Sequence, residues 1–97
     1  MDRRRVVITG LGCITALSES VDELFDALCE GRSGVSTFEL FDTSAYPVHF
    51  GGEIKNFEVT KYIDKREAKR MDRFSEFAVA ASIQAVKDSG LDFAKED

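Results

Sequence analysis

Apolar residues fall along this chain in two patterns, and each pattern predicts a different kind of element. Three branched apolar residues stand side by side at residues 6–8, which is typical of a short strand covered on both faces, as in α/β folds. Apolar residues then recur at helical spacing from Val21 to Leu28. This spacing predicts an amphipathic helix over about residues 21–30.

A second helical pattern lies further along the chain, and both predicted helices carry start and stop signals. A capping residue followed three positions later by glutamate marks each start, and glycine marks each end. No glycine or proline interrupts the second pattern, so we expect one long helix there. The signals are Ser20, Glu23 and Gly31 for the first helix, and Asp64, Glu67, Ser89 and Gly90 for the second.

The two halves of the second predicted helix differ in character. Residues 65–73 are basic and polar, whereas residues 77–86 are apolar or small on nearly every side. A helix that is apolar all round has to be enclosed by other elements. A chain of 97 residues has little material for this. We therefore expect it to be the opening segment of a larger domain, or to bury this helix against another subunit.

The stretch between the helices, residues 33–59, is predicted to be a long irregular loop rich in aromatic residues. Aromatic side chains at this density indicate a loop that is fixed onto a larger body. Gly51 and Gly52 predict a turn, with a short strand at residues 53–55 after it. The aromatic residues are Phe38, Phe41, Tyr46, Phe50 and Phe57.

Composition and charge narrow the class of protein. The chain is 43% hydrophobic and 32% charged, which is ordinary for a globular domain, and its net charge of −5 argues against nucleic-acid binding. No apolar run is long enough to cross a membrane, and no signal-peptide core follows the arginines at residues 3–5. Two cysteines in such a chain suggest free thiols. We expect a cytoplasmic protein.

The first predicted strand runs into Gly10 and Gly12, which are spaced like the start of a dinucleotide-binding turn. Thr15 stands where that motif needs its third glycine, and the helix begins only near Ser20, so no helix N-terminus faces the turn. The phosphate-loop lysine is absent as well. The residues therefore favour glycines that let the backbone turn sharply against neighbouring elements.

Three stretches together resemble the N-terminus of the β-ketoacyl-[acyl carrier protein] synthases, above all the type II condensing enzymes. They are "VVITGLGCIT", "GRSGVSTFELFDTSAYPVHFGGEIKNF" and "KREAKRMDRFSEFAVAA", in this order and spacing. The resemblance implies an α/β protein, the N-terminal part of a thiolase-type fold over residues 1–97, incomplete as given. Its parts would be the first core strand, two helices and the long aromatic loop. The chain departs from the family at Ala16 and Ser18, where proline and glycine are usual.

The resemblance also implies a chemistry, in which a cysteine carries the acyl chain as a thioester. Decarboxylation of malonyl-carrier protein, assisted by two histidines, then yields the attacking carbanion. In the family these three residues lie beyond residue 97, so we expect no catalytic residue here. Cys13 and Cys29 are interpreted as small buried hydrophobes, and His49 as a loop residue.

The same resemblance implies no metal and no diffusible cofactor, because the substrates arrive on the phosphopantetheine of acyl carrier protein. It further implies a homodimer. The expected partners are therefore the carrier protein and a second subunit, with no nucleic acid and no membrane.

The cations of the second predicted helix are the candidate binding residues. On one continuous helix they span an arc of about 140°, opposite an apolar stripe. A solvated face is the plain alternative. In the resembled family, basic residues matching Arg66, Lys69 and Arg70 contact the acidic carrier protein, and with Lys65 they form the predicted dock. The cations are Lys65, Arg66, Lys69, Arg70 and Arg73, and the stripe is Met71, Phe74, Ala78, Ala81 and Ala85.

The predicted function is fatty-acid chain elongation by decarboxylative condensation, with this segment supplying scaffold and part of the dock. Two alternatives within the family remain, a polyketide condensing domain and a chain-length partner subunit without the nucleophile. A third alternative is a free-standing, non-catalytic carrier-binding module or a truncated remnant.

Overall fold

The computed structural model describes residues 2–96, with three helices and one small sheet. None of the helices in this range is both long and apolar enough to span a membrane. In chain order the elements are α1 (Val21–Cys29), β1 (Val35–Thr37), β2 (Phe50–Gly52), a 3₁₀ turn (Val59–Lys61), α2 (Lys65–Ala68) and α3 (Arg73–Ser89).

Helix α1 confirms the prediction made from its capping residues. The Ser20 hydroxyl accepts a hydrogen bond from the Glu23 backbone N–H at 3.2 Å, which satisfies one of the free donors of the first turn. The Ser20 N–H itself is bonded to the Ser18 hydroxyl at 3.4 Å, so only half of the capping box forms. At the other end Gly31 has a φ of 75°, and its N–H is bonded to the Leu28 carbonyl.

The prediction of a first strand at residues 6–8 is wrong for this structure. No strand is assigned there, and Val6 and Ile8 are 91% and 83% exposed. A strand exists only when a neighbouring segment accepts and donates its backbone hydrogen bonds. In the part of the chain that the structure describes, the only sheet pairs β1 with β2, so residues 6–8 have no strand partner there.

The aromatic loop contains a hairpin that the sequence did not predict. β1 and β2 are antiparallel, with Val35 opposite Gly52 and Thr37 opposite Phe50. Gly51 and Gly52 are therefore strand residues and not a turn, and residues 53–55 are not a strand, so that prediction is also wrong. The physical reason is strand pairing, since Gly51 lies opposite Ser36 and, just beyond β1, the Phe38 N–H donates to the His49 carbonyl at 2.9 Å. The Phe38 ring lies against Gly51.

The turn of the hairpin is held by side chains that bond to the backbone. The Glu53 carboxylate accepts hydrogen bonds from the backbone N–H groups of Glu39 and Leu40, at 2.9 and 3.1 Å. Asp42 accepts one from the Ser44 N–H at 3.0 Å, and this bond lowers the pKa of the Asp42 carboxyl. These bonds order a loop that has little apolar cover.

The second predicted helix is divided into two. α2 ends at Ala68, and α3 begins at Arg73 after Asp72, whose ψ of 162° is extended. Between them the N–H groups of Arg70 and Met71 bond to carbonyls only three residues back, as in a tight turn. Helix α3 ends as predicted, with Gly90 at a φ of 71°.

Few apolar side chains are buried. In residues 2–96 the buried residues are Ala27, Ile63, Ala68 and Ala80. Three of these four are alanines, so they mark where segments approach closely and not a core of large side chains.

Candidate functional site

The glycine turn packs directly on α3. A methyl group on Gly10 would collide with the Ala85 carbonyl, and one on Gly12 with the Ala81 carbonyl. The predicted packing role of the two glycines is confirmed, since only residues without a side chain allow this approach.

The backbone donors of the same turn are also used by α3. The Leu11 N–H donates to an Asp88 carboxylate oxygen at 3.0 Å, and the Cys13 N–H donates to Gln84 Oε1 at 3.1 Å. A phosphate-binding turn instead directs such N–H groups at its ligand. The glycine turn therefore anchors the N-terminal part of the chain to α3.

A threonine side chain stabilises the turn in which this chain departs from the resembled family. The Thr15 hydroxyl accepts hydrogen bonds from the N–H groups of Leu17 and Ser18, and donates one to the Ser18 carbonyl at 3.1 Å. Such local side-chain bonds stabilise a turn without proline or glycine. Ala16 and Ser18 are therefore accommodated in an ordered turn.

The two cysteines differ in environment, although both are free thiols. Cys13 is half-buried, so its prediction as a buried residue is correct only in part, and this burial raises the pKa of its thiol. Cys29 is exposed, so its prediction as a buried residue is wrong. It is the last residue of α1, beside the exposed Leu28, where no described element covers the helix.

His49 is an exposed loop residue, as predicted. Its Nδ1 lies 3.1 Å from the Thr43 hydroxyl oxygen, which fixes the ring within the hairpin turn. In residues 2–96 no cluster of three or more histidine, cysteine, aspartate or glutamate side chains could hold a metal ion. His49 thus contributes to loop structure.

Four of the predicted docking cations, at residues 65–70, form what is called here the basic segment. Lys65 and Arg66 begin α2, Lys69 is its C-terminal cap and Arg70 follows in the turn. All four are exposed, while Ala68 between them is buried. In the described part of the chain the ion pairs use other cations, so these four carry unpaired charge.

The fifth cation of the predicted arc does not belong to this surface. Arg73 donates a hydrogen bond to the Ile54 carbonyl, and its guanidinium carbon lies 5.1 Å from the centre of the Phe77 ring. The single arc of five cations is therefore wrong. Its physical reason is the break before α3, which resets the helical phase between Arg70 and Arg73.

The predicted apolar stripe on the second helix is correct only in part. Ala81 and Ala85 do face a neighbour, because the glycine turn packs against them. Phe74 is 71% exposed and Ala78 is also exposed, since they lie on α3 before the reach of that turn. The residue that α3 buries completely is Ala80.

An aromatic cluster lies on both sides of the basic segment in sequence. Phe57 meets Phe77 edge to face at a centroid distance of 5.0 Å, and it stacks on Tyr62 at 6.1 Å. The Tyr62 hydroxyl accepts a hydrogen bond from Gln84 Nε2 at 3.0 Å. Tyr62 comes just before α2, and Phe77 lies in the second turn of α3. Sequence reasoning did not find this cluster, because its members come from three separate stretches.

Comparison with known proteins defines the class of the chain. Residues 3–97 match the family model described as the β-ketoacyl synthase N-terminal domain, so the chain belongs to that family. Two curated relatives are both named 3-oxoacyl-[acyl-carrier-protein] synthase 2. The one from Synechocystis is 46% identical over 91 residues, covering 94% of this chain and 22% of the relative. The one from Vibrio harveyi is 40% identical over 97 residues, covering 100% and 23%.

A solved structure, the ishigamide ketosynthase/chain length factor, confirms the fold. It superposes with a TM-score of 0.87 at 36% sequence identity, covering 96% of this chain and 23% of that one. The chain thus has the fold of the N-terminal part of a thiolase-type ketosynthase. It spans less than a quarter of the length of these relatives.

Proposed function

We propose that this chain is the N-terminal segment of a β-ketoacyl-[acyl carrier protein] synthase that elongates fatty acids. The synthase joins an acyl thioester to malonyl-carrier protein with loss of carbon dioxide. The relatives at 40 and 46% identity, both named as such synthases, support this assignment. The nucleophilic cysteine and the two histidines belong to the rest of the synthase.

The basic segment is proposed as part of the surface that receives acyl carrier protein. The observation that carries this proposal is a group of four exposed, unpaired cations in a chain whose net charge is −5. A positive surface on an acidic protein attracts an acidic partner and accelerates productive encounter. The residues are Lys65, Arg66, Lys69 and Arg70.

The remaining features of the proposed synthase follow the family. It works as a homodimer in the cytoplasm, where both free thiols stay reduced. It uses no metal and no diffusible cofactor, because the phosphopantetheine of the carrier protein holds each substrate.

The docking proposal is tested in the synthase that contains this segment, by changing Arg66, Lys69 and Arg70 together to glutamate. We expect the KM for malonyl-carrier protein to rise at least about tenfold, because attraction becomes repulsion. Added salt should raise the KM of the unchanged enzyme by screening, and should do so far less in the variant. Small pantetheine thioesters should be used as before.

The matched control makes the same change of charge elsewhere. Arg3, Arg4 and Arg5 are exposed, and their joint replacement by glutamate should leave the KM for carrier-bound substrate nearly unchanged. Unchanged kinetics in the variant of the basic segment would show that these cations are only solvated.

A polyketide condensing enzyme is the second candidate, favoured by the ketosynthase/chain length factor with the matching fold. Product analysis separates the two candidates. Fatty-acid elongation requires repeated condensation onto fully reduced acyl-carrier protein, whereas a polyketide enzyme accepts chains that keep oxygen or double bonds.

A further inference from the structure

The basic segment is anchored at both ends by one cluster, called here the aromatic clamp. It consists of Phe57, Tyr62, Phe77 and Arg73. Tyr62 stacks on Phe57 just before the basic segment, and Phe77 packs edge to face on Phe57 just after it. Arg73 completes the cluster from the start of α3. Residues that precede and follow the basic segment therefore contact the same ring, that of Phe57.

We propose that Arg73 is a positioning residue of the dock and not one of its contacts. The inference rests on the proposed function of the basic segment. The Arg73 guanidinium is engaged twice, since it donates to the Ile54 carbonyl and lies over the face of the Phe77 ring. Although Arg73 is exposed, its guanidinium is held against the protein's own loop. It thereby fixes the direction in which α3 leaves the turn that carries Arg70.

An arginine is required for this arrangement because of its shape. The planar guanidinium stacks on an aromatic face while its edge donates hydrogen bonds, whereas a lysine ammonium is a compact, strongly hydrated charge. Arg73→Lys keeps the charge but loses the combined stacking and donation. Arg5 lies outside the basic segment and has no such contacts in the described residues, so Arg5→Lys should leave docking unchanged.

Loss of the clamp should weaken docking by making the basic segment mobile. A partner that binds a mobile segment has to order it first, and this ordering reduces affinity without changing the number of charges that meet. A contact residue behaves differently, because its removal lowers both the affinity and the dependence of affinity on salt. The salt dependence of affinity therefore distinguishes a positioning residue from a contact residue.

The test measures the KM for malonyl-carrier protein at several salt concentrations, in the synthase that contains this segment. For Arg73→Lys we expect a KM about three- to tenfold higher at every salt concentration, with the salt dependence of the unchanged enzyme. Phe57→Leu, which removes the shared ring without changing charge, should behave in the same way. Arg5→Lys, a change of the same kind outside the dock, should match the unchanged enzyme, and Arg70→Gln should lose part of the salt dependence.

Three results would overturn the inference. One is a KM for Arg73→Lys equal to that of the unchanged enzyme. Another is a salt dependence reduced as in Arg70→Gln, which would make Arg73 a direct contact. The third is an equal loss of turnover with small pantetheine thioesters, which would mean that Arg73 acts on folding in general.

If the glutamate variant of Arg66, Lys69 and Arg70 also leaves the KM unchanged, the dock itself is refuted. If only Arg73→Lys is silent, the dock stands without this residue.

Discussion

At the scale of single residues, Gln84 joins three distant parts of the chain. Its Oε1 accepts from the Cys13 N–H, and its Nε2 donates to the Glu19 carbonyl at 2.6 Å and to the Tyr62 hydroxyl. One amide supplies both an acceptor and two donors, which no carboxylate or alkyl side chain does. Its partners lie 22 to 71 residues away, so local spacing around Gln84 did not distinguish it from a solvent-facing helix residue.

Residue-scale exposure predicts how the two thiols react in the 97-residue chain. We expect iodoacetamide to modify Cys29 first, because it is exposed, and Cys13 several-fold more slowly. Burial raises the pKa of the Cys13 thiol, so its thiolate, the reactive form, appears only at a higher pH than in an unfolded chain. Mass spectrometry of timed samples between pH 7 and pH 10 measures both rates.

The single-thiol variants Cys13→Ser and Cys29→Ser provide the controls, since each reports one site alone. In denaturant the two sites should react at similar rates. Native modification of Cys13 as fast as that of Cys29 would contradict the packed environment assigned to Cys13.

At the scale of elements, the sequence predicted helix ends better than helix continuity. α1 and the end of α3 follow from a capping serine and from glycines in the left-handed conformation, which are local causes. The break before α3 occurs without glycine or proline. Aspartate is favoured just before a first helical turn, so Asp72 was the available local signal. The exposure of the basic segment was predicted correctly. The contacts of Arg73 could not be predicted, because one of them is made with the distant loop at Ile54.

Packing of the glycine turn on α3 predicts a large effect of a single methyl group. In the synthase that contains this segment, Gly12→Ala should lower the free energy of unfolding by about 1–3 kcal/mol, because the methyl group meets the Ala81 carbonyl. Gly52→Ala is the matched control, since a methyl group there has only the Ala16 methyl group nearby, at 4.0 Å. Thermal unfolding compares the two.

Equal unfolding temperatures would contradict this expectation. If Gly12→Ala and Gly52→Ala unfold at the same temperature as the unchanged protein, the glycine turn does not press against α3. The close approach would then not be the reason for glycine at position 12.

At the scale of the whole molecule, the described residues leave much apolar surface uncovered. The radius of gyration is 17.3 Å, against about 13 Å for a compact domain of this length. Large side chains at both ends of the chain are exposed, among them Val6, Ile8 and Phe93. The sequence predicted this need for cover from the apolar residues 77–86. It could not predict which strands pair, because pairing depends on distant segments.

The isolated 97-residue chain is therefore expected to self-associate or to remain loosely packed. Sedimentation should detect oligomers at micromolar concentration, and a dye that binds exposed apolar surface should fluoresce strongly. Amide hydrogens should exchange quickly outside α1, α3 and the glycine turn, whose Leu11 and Cys13 N–H groups are bonded to α3. A sharp, cooperative thermal transition from a strictly monomeric sample would contradict this expectation.

The two glycines that end α1 and α3 have a consequence for chirality. Gly31 and Gly90 have φ values of 75° and 71°, and the space where an L-residue's Cβ atom would stand is open at both, so only backbone strain opposes an L-residue there. An L-residue is strained at such angles, whereas a D-residue has them as its natural helical values. D-alanine placed there by chemical synthesis would adopt these φ values without that strain and would restrict the unfolded chain. These are sites where the mirror-image amino acid suits the fold better than any L-residue.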